Sequence, residues 1–262
     1  MSDLNFPKIG MKENLRPVFT AKDAIRVTDR DKLEKMPKKA LLIYSSALED
    51  RLRNDLSLAR YNLPFESPFY HYINPSVYID KNHSLLFIRI TIGAPVTAIM
   101  ADDLIAVGVR SIILAGTAGG LGRNISVGDV CICTSALRDE GTSHHYLKHS
   151  MFVDSDKELN DSMEKGMMEL GIGFKKGPTW STDAVYVESK EEIKKYAEMG
   201  VLTVDMEAAA LFAVAKIRQI KASAVFVVSD LLNGQEWSGM KEHEIEEGFS
   251  NLARIASIYS KL

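Results

Sequence analysis

Three carboxylates lie beside apolar segments of the chain, where an ionised group is costly to bury. Asp205 and Glu207 belong to the stretch VDMEAAALFAV at 204–214, between a strand-like run and a helix-like run. Asp230 ends the apolar run ASAVFVVSD at 222–230, directly after Ser229. A buried carboxylate needs a partner or a chemical task. These side chains are therefore the first candidates for substrate binding or proton transfer.

Other polar or glycine-rich groups also follow apolar runs, and in α/β sheets ligands bind at the carboxyl ends of strands. The spacing within GTAGGLG at 116–122 fits neither a dinucleotide fingerprint nor a phosphate-binding P-loop. Its glycines predict a turn that offers N–H groups and the Thr117 hydroxyl to an anion or a sugar, or else a simple tight turn. The remaining groups are the serines at 45–46, RDEGTSHHY at 138–146 and STDAVY at 181–186.

The elements that must position these groups alternate along the chain. Several strand-like runs are apolar throughout, which is typical of strands buried on both faces. The pattern predicts an α/β protein, a three-layer α/β/α sandwich with a central mixed, largely parallel sheet. We expect one domain over 1–262, with 1–38 as a peripheral arm. The predicted strands lie at 40–46, 84–91, 111–119, 129–136, 201–205 and 222–230, and the predicted helices at 94–109, 156–171, 189–200, 206–219 and 241–262.

Composition excludes several classes of function. The 262 residues carry a net charge of −3 with a pI near 6.1, so we expect no binding to nucleic acid or to an anionic membrane. No apolar run is long enough to span a bilayer and no signal peptide is evident, which favours the cytoplasm. Cys131 and Cys133 are expected to be small buried residues of a reduced protein. No metal is expected, because no metal-ligand spacing occurs.

Taken together, the strand ends resemble the nucleoside phosphorylase superfamily. This family includes purine nucleoside phosphorylases of the hexameric type, uridine phosphorylases and related nucleosidases. The resemblance covers most of 40–262 and rests on four segments in the right order and spacing. These are GTAGGLGRNISVGDV at 116–130, STDAVY at 181–186, VDMEAAALFAVA at 204–215 and VVSD at 227–230.

The resemblance implies a role for each matched residue. Met206 would pack on the sugar and Glu207 would bind its 2′- and 3′-hydroxyls. Asp230, preceded by Ser229, would protonate or hydrogen-bond N7 of a purine base. A carboxylic acid at that nitrogen lets the base leave neutral, which is worth about 10²–10⁴-fold in rate. The residues implied to touch sugar and phosphate are Thr117, Ala118 and Gly119.

The implied activity is cleavage of the N-glycosidic bond of a purine nucleoside by phosphorolysis, which yields the free base and a pentose 1-phosphate. Phosphate is the co-substrate and no other cofactor is implied. The resemblance also implies a homo-oligomer built from dimers, up to a hexamer.

Several positions depart from the family pattern. Asp205 stands where the family has Glu, so it either reaches a ribose hydroxyl or caps the following helix. Val185 replaces an aromatic residue that stacks on the base, and Tyr186 or Trp180 are the candidate substitutes. The residues at the positions that read uracil in uridine-specific members do not support a pyrimidine substrate; they are Ser189 and Glu191.

The family's phosphate-binding arginines are also missing, since Glu49 and Leu114 occupy two of their positions. One explanation is that other groups hold phosphate. A second is that water is the nucleophile, activated by Glu49 as in the family's hydrolytic nucleosidases. A third class is a nucleoside-binding protein without catalysis. The candidate phosphate ligands are Arg138, Arg89, His71 and the backbone amides of 116–120.

The adjacent His144 and His145 lie in the loop that follows Arg138. In an extended loop such neighbours face opposite ways, so we expect at most one of them to contact a ligand and the other to lie at the surface.

Overall fold

The apolar runs of the sequence form the longest strands, whose side chains are buried on both faces. The computed structural model describes residues 15–122, 124–232, 237–239 and 245–262. Within these ranges the strands are β1 (Arg26–Val27), β2 (Lys39–Ile43), β3 (Ala59–Arg60), β4 (Phe65–Glu66), β5 (Ser76–Ile79), β6 (Leu86–Arg89), β7 (Ser111–Leu121), β8 (Val130–Asp139), β9 (Phe152–Asp154), β10 (Lys175–Thr182), β11 (Thr203–Asp205) and β12 (Lys221–Leu232).

Several helices begin at polar side chains. Ser45, Asp156 and Ser189 each accept a hydrogen bond from the backbone N–H three residues further on, which satisfies a donor that a helix start leaves open. A short 3₁₀ turn spans Val185–Val187. The α-helices are α1 (Ala21–Ala24), α2 (Arg30–Glu34), α3 (Ser46–Leu56), α4 (Tyr70–Ile73), α5 (Ala94–Ala106), α6 (Ser143–Tyr146), α7 (Lys157–Glu169), α8 (Lys190–Glu198), α9 (Ala208–Arg218) and α10 (Glu246–Lys261).

The large sheet is mixed, and part of it closes on itself. Its order is β11-β10-β8-β12-β7-β2-β6-β5-β3, and β9 pairs with β8. Strands β6, β2, β7 and β12 run parallel, whereas β8 is antiparallel to β12. Because β11 also pairs with β7, the strands β7, β12, β8, β10 and β11 form a closed ring. The mixed α/β fold confirms the predicted class, and the ring is a feature that the sequence pattern did not predict.

Side chains that alternate along the strands enter two separate cores. Leu42 of β2 and Leu114 of β7 pack in a cluster with residues of α5 and α9. Ile43 and Ala115, one residue further on, pack in a second cluster with residues of α3, α7 and α10. Helices therefore cover both faces of the sheet, as the three-layer prediction requires. Apart from these, α8 packs in a third cluster around the buried Trp180, together with side chains of the ring strands β7, β8 and β11.

Several segments of the sheet differ from the prediction, among them the unpredicted strands β3, β5 and β9. The predicted strand 111–119 continues to Leu121, so GTAGGL is strand and not turn. The pattern also missed β10, because KKGPTWST mixes lysines with Gly177 and Pro178. Proline has no N–H for the ladder, and the pairing with β8 shifts register at this point.

The predicted arm and the last predicted helix lie partly outside the described residues. Of the arm, 1–14 is outside; the remainder contains α1, α2 and β1, and β1 forms a two-stranded sheet with β4. Of the helix predicted at 241–262, the stretch 241–244 is outside. No helix in the described ranges is both long and apolar enough to cross a membrane.

Candidate active site

The centre of the site is the second half of β7. Gly119 of β7 pairs with Val204 of β11 on one side and with Asp230 of β12 on the other. Asp205 and Glu207 follow Val204 directly, so the two carboxylate-bearing segments flank the same short stretch of β7. Sheet pairing thus brings together Thr117, Ala118 and Gly119 with the segments 205–207 and 229–230, as predicted.

Glycine is required in β7 for close packing of the ring. A Cβ on Gly119 would lie 2.9 Å from Leu232 Cδ1 and Val204 Cγ1, and 3.5 Å from Asp230 Oδ2. A Cβ on Gly120 would lie 2.8 Å from Val228 Cγ1. Because this segment is a strand, paired with β12 along its length and with β11 at Gly119 and Gly120, the predicted turn is wrong. The glycines admit neighbouring side chains, among them that of Asp230.

Asp230 is held through both oxygens of its carboxyl group. The Ser229 hydroxyl donates to Oδ1 at 2.6 Å, and the indole N–H of Trp237 donates to Oδ2 at 2.7 Å. The pairing of β12 with β7 shifts register between Val228 and Asp230, and such a bulge redirects a side chain out of the regular alternation. Trp237 is 63% exposed, and no sequence signal pointed to it.

Asp205 is a helix cap and not an open ligand. Its carboxylate accepts hydrogen bonds from the backbone N–H groups of Glu207 and Ala208, each at 2.7 Å, and from the hydroxyls of Thr179 and Ser181. Burial raises the pKa of this carboxyl group, and the four donors oppose that rise. Of the two roles that the sequence left open, the contacts support capping.

Glu207 is buried, with few donors around it. Its Oε1 accepts from the Gly93 N–H at 2.7 Å and its Oε2 from the Met206 N–H at 3.2 Å. Burial, and next the charge of Asp205, raise the pKa of Glu207 to about 8. A group with such a pKa near neutrality is typical of functional sites. A ligand with hydroxyl donors would supply the hydrogen bonds that the ionised carboxylate lacks.

Two residues that the sequence pattern did not predict complete this side of the site. The hydroxyls of Tyr44 and Thr97 lie 2.8 Å apart, and Thr97 donates to the Gly93 carbonyl at 3.1 Å. Burial, and then the charge of Glu207, raise the pKa of Tyr44. Tyr44 follows β2 directly, so the rule that ligands meet strand ends was the signal that could have found it.

The buried Glu49 forms an ion pair with the partly exposed Arg89. Arg89 Nε donates to Glu49 Oε2, and the Tyr78 hydroxyl donates to Glu49 Oε1 at 2.6 Å. Burial alone would raise the pKa of Glu49, but the hydrogen bonds from Tyr78 and Arg89 outweigh it and lower that pKa. A carboxylate so held is a weak base, which counts against the predicted activation of water by Glu49.

Arg138 lies in a structural network. Its guanidinium donates to Ser143 Oγ at 2.9 Å, to the Lys148 carbonyl at 2.7 Å and to Ser150 Oγ at 2.8 Å. The longer contacts of 3.3 Å, to His144 Nδ1 and the Leu147 carbonyl, use the remaining N–H groups. No donor is left for a phosphate, so the predicted phosphate contact of Arg138 loses its chemical basis.

The two adjacent histidines face different surroundings. His144 is buried, and its Nε2 lies 3.1 Å from the Arg138 carbonyl. His145 is exposed, on α6 instead of an extended loop. The third histidine candidate, His71, is exposed on α4.

The side that is predicted to hold the base is less enclosed. Val185 is 44% exposed and Tyr186 fully exposed, whereas Trp180 is buried and donates its indole N–H to Asp139 Oδ2 at 3.0 Å. Trp180 therefore cannot stack on a base, and Tyr186 remains the candidate. Glu188, which the sequence pattern missed, has its pKa raised to about 7, mainly by burial and next by the charge of Asp230.

Two further expectations concern sulfur and metal chemistry. Cys131 and Cys133 are free and buried, as predicted. Within the described ranges, no three His, Cys, Asp or Glu side chains are grouped so that they could hold a metal ion.

Comparison with known proteins adds an independent result. The sequence model of the phosphorylase superfamily matches residues 42–259. A guanosine phosphorylase of Halorubrum lacusprofundi is 33% identical over 161 residues, which are 60% of this chain and 65% of that protein. A DeoD-type purine nucleoside phosphorylase of Exiguobacterium sibiricum is 30% identical over 63% of this chain and 70% of that protein. The match thus spans slightly less than two thirds of the first relative's length.

Solved structures show the same fold. The P. knowlesi homologue of P. falciparum PNP superposes with a TM-score of 0.72 at 21% identity, over 87% of this chain and 91% of that chain. An AMP nucleosidase from Bacteroides thetaiotaomicron superposes with a TM-score of 0.68 at 19% identity, over 87% and 91% of the two chains. At such identities the likeness concerns the fold alone.

Proposed function

This chain belongs to the phosphorylase superfamily, and from that premise we propose that it cleaves the N-glycosidic bond of a purine nucleoside by phosphorolysis. The products are the free base and a pentose 1-phosphate. The observation that carries the proposal is the register of β7, where Gly119 lies between Val204 and Asp230. The two carboxylates that we assign to sugar and base thus belong to segments on either side of the same strand.

Each carboxylate suits its proposed task. Glu207 binds the 2′- and 3′-hydroxyls of the ribose, whose donors favour its ionised form, and its charge stabilises the positive charge that develops on the sugar. Met206, half-buried beside it, packs on the sugar. Asp230 donates a proton to N7 as the C1′–N9 bond breaks, and the base leaves neutral. An oxygen of phosphate forms the new bond to C1′.

Three observations favour phosphorolysis of purines over the alternatives. Both relatives described above are named as phosphorylases of guanosine or purine nucleosides. Glu49, the candidate base for a hydrolytic reaction, is engaged by Arg89 and Tyr78. A protein that only binds nucleosides needs no carboxyl group for the base nitrogen, and Asp230 supplies one.

The remaining features of the proposal follow from the family and the composition. Phosphate is the co-substrate and no other cofactor takes part. We propose a homo-oligomer built from dimers, up to a hexamer, in the cytoplasm. We also propose one domain over 1–262, since strands drawn from residues 39–232 pair in one sheet.

The test is a panel of inosine, guanosine, adenosine and uridine, each assayed with phosphate, with arsenate and with neither. We expect base release from the purine nucleosides only when phosphate or arsenate is present, and pentose 1-phosphate as the product with phosphate. Equal release without either anion, with free ribose as the product, would show hydrolysis instead. Nucleoside binding without turnover under all conditions would show a binding protein.

A further inference from the structure

A phosphate anion that enters a water-excluded site must meet cations or N–H donors. Arg138 has none free. The backbone of 116–121 pairs with β12 along its length but with β11 only at Gly119 and Gly120, so amides at 116–118 could offer N–H donors but no cation. Arg89 differs from Arg138. Its Nε donates to Glu49 and its Nη2 to Ser76 Oγ at 3.2 Å, whereas its Nη1 has no hydrogen-bond partner among the described residues. Its side chain is 31% exposed, so several N–H groups are open to a ligand.

The sheet places Arg89 beside the proposed site. Arg89 ends β6 and pairs with Ile43 of β2, and Leu42 of β2 pairs with Leu114 of β7. Arg89 is therefore level with Ala115, two residues before Thr117. The strands β6 and β7 are two strand spacings apart, about 10 Å. An arginine side chain and a bound phosphate together can bridge that gap.

Arg89 and Thr117 also share a face of the sheet. Phe87 and Ala115 both belong to the core beneath α3, and side chains two residues apart on a strand point the same way. Arg89 and Thr117 each stand two residues beyond these core residues on their own strands. Four residues after Arg89, Gly93 donates its N–H to Glu207. The short segment between β6 and α5 therefore links Arg89 to the carboxylate that we assign to the sugar.

Glu49 determines the orientation of the guanidinium group. It is 8% exposed, lies in the first turns of α3, and is itself held by the Tyr78 hydroxyl. A planar guanidinium that is fixed along one edge presents its other donors in a set direction, which is the geometry that phosphate binding uses. Glu49 thus acts on Arg89, and not on water.

From this placement we infer that Arg89, oriented by Glu49, binds the phosphate co-substrate beside Thr117. The inference rests on the proposed phosphorolysis and names the cation that it requires. Glu49 is then a positioning residue. The resemblance implies a phosphate-binding arginine at position 49, where this chain has Glu49. The cation is instead Arg89, on strand β6, which forms an ion pair with Glu49.

Steady-state kinetics of Arg89→Ala provides the first test. We expect the KM for phosphate to rise at least about tenfold, because a charged contact is lost, while the KM for the nucleoside changes less than about twofold. Arg51→Ala removes a positive charge that is paired with Asp55 on α3 and should leave both constants unchanged. Glu49→Gln keeps the Arg89 charge but loosens its orientation, so it should raise the KM for phosphate only.

Loss of Arg89 alone leaves Glu49 buried without its partner, which can unfold the protein. The double variant Glu49→Gln with Arg89→Gln removes both charges and keeps a polar pair. It should fold, as judged by its urea transition, and show the same defect in the KM for phosphate. An unchanged KM for phosphate in this folded variant would overturn the inference.

Calorimetric titration with inorganic phosphate alone separates this inference from the proposed function. If wild type binds phosphate and Arg89→Ala does not, the inference stands even if no nucleoside is cleaved. If cleavage is phosphate-dependent and Arg89→Ala binds phosphate normally, the proposed function stands and the inference fails. A defect of Arg89→Ala confined to nucleoside 5′-monophosphates would also overturn it, since the bound group would then belong to the nucleotide.

Discussion

Replacement of Glu207 by Gln should change how the stability of the fold depends on pH. In the folded chain Glu207 is 6% exposed, and the pKa of its carboxyl group lies at about 8 instead of the ordinary 4.5. Burial is the main cause and the nearby charge of Asp205 the second. Between these two pH values the folded chain keeps a proton that the unfolded chain has released. Each rise in pH within that window therefore favours unfolding.

The magnitude follows from the width of the window. A displaced pKa contributes about 1.4 kcal/mol per pH unit to the free energy of unfolding. Between pH 5 and pH 8 the contribution of Glu207 should thus fall by about 4 kcal/mol, and above pH 8 it should stay constant. The glutamine side chain has no ionisable group, so the Glu207→Gln variant lacks this slope. Any lost hydrogen bond to Gly93 or Met206 shifts its stability equally at every pH.

Urea denaturation at a series of pH values from 5 to 9 measures the effect. The free energy of unfolding of wild type, minus that of Glu207→Gln, should fall as pH rises and level off above about 8. Asp205 is present in both proteins and largely cancels in this difference. Glu191→Gln, which removes an exposed carboxylate from α8, should parallel wild type. Parallel curves for Glu207→Gln and wild type would refute the reasoning, because Glu207 would then ionise normally in the fold.

Four further substitutions test other parts of the site. Asp230→Asn cannot donate a proton, so cleavage of purine nucleosides should slow by roughly 10²–10⁴-fold. The loss of rate on nitrophenyl riboside, which has a good leaving group, should be much smaller. Equal losses on both substrates would argue against protonation by Asp230. Arg138→Ala should lower the free energy of unfolding by about 2–4 kcal/mol, measured by urea denaturation, and should leave the KM for phosphate unchanged. An unchanged stability with a raised KM for phosphate would instead support phosphate binding by Arg138. Gly119→Ala and Gly120→Ala should each cost about 1–3 kcal/mol through overpacking, but only Gly119→Ala, whose Cβ approaches Asp230, should reduce kcat. Equal kcat values in the two alanine variants would show that packing at Gly119 does not disturb Asp230.

Much of the architecture could be predicted because it is encoded in neighbouring residues. The apolar runs that form β2, β7 and β12 need burial on both faces, and a run of this kind can be recognised from a few consecutive residues. The mixed α/β class follows from the alternation of such runs with helical patterns. The position of Glu207 and Asp230 at strand ends is likewise local, so the candidate carboxylates could be named from the sequence.

The hydrogen-bond and ion-pair partners of the site residues could not be predicted from neighbouring residues. Glu207 accepts the N–H of Gly93, 114 positions away, and Glu49 pairs with Arg89, 40 positions away. A side chain's partner across such a separation depends on strand order and register, and these result from the packing of the whole sheet. Asp205 illustrates the point, since capping and ligand binding are equally compatible with its sequence context, and only its four donors distinguish them.

By itself, the sequence determined which residues are apolar, which strand ends are polar and where glycine permits close approach. Tertiary structure decided that β7 and β11 pair and close the ring and that GTAGGL is strand. It also decided that the N–H groups of Arg138 are all used in hydrogen bonds to the segment that follows it. The physical reason is that hydrogen-bond capacity and charge are properties of a residue. Whether a donor is already satisfied, and how far a pKa moves, are properties of its surroundings in the folded chain.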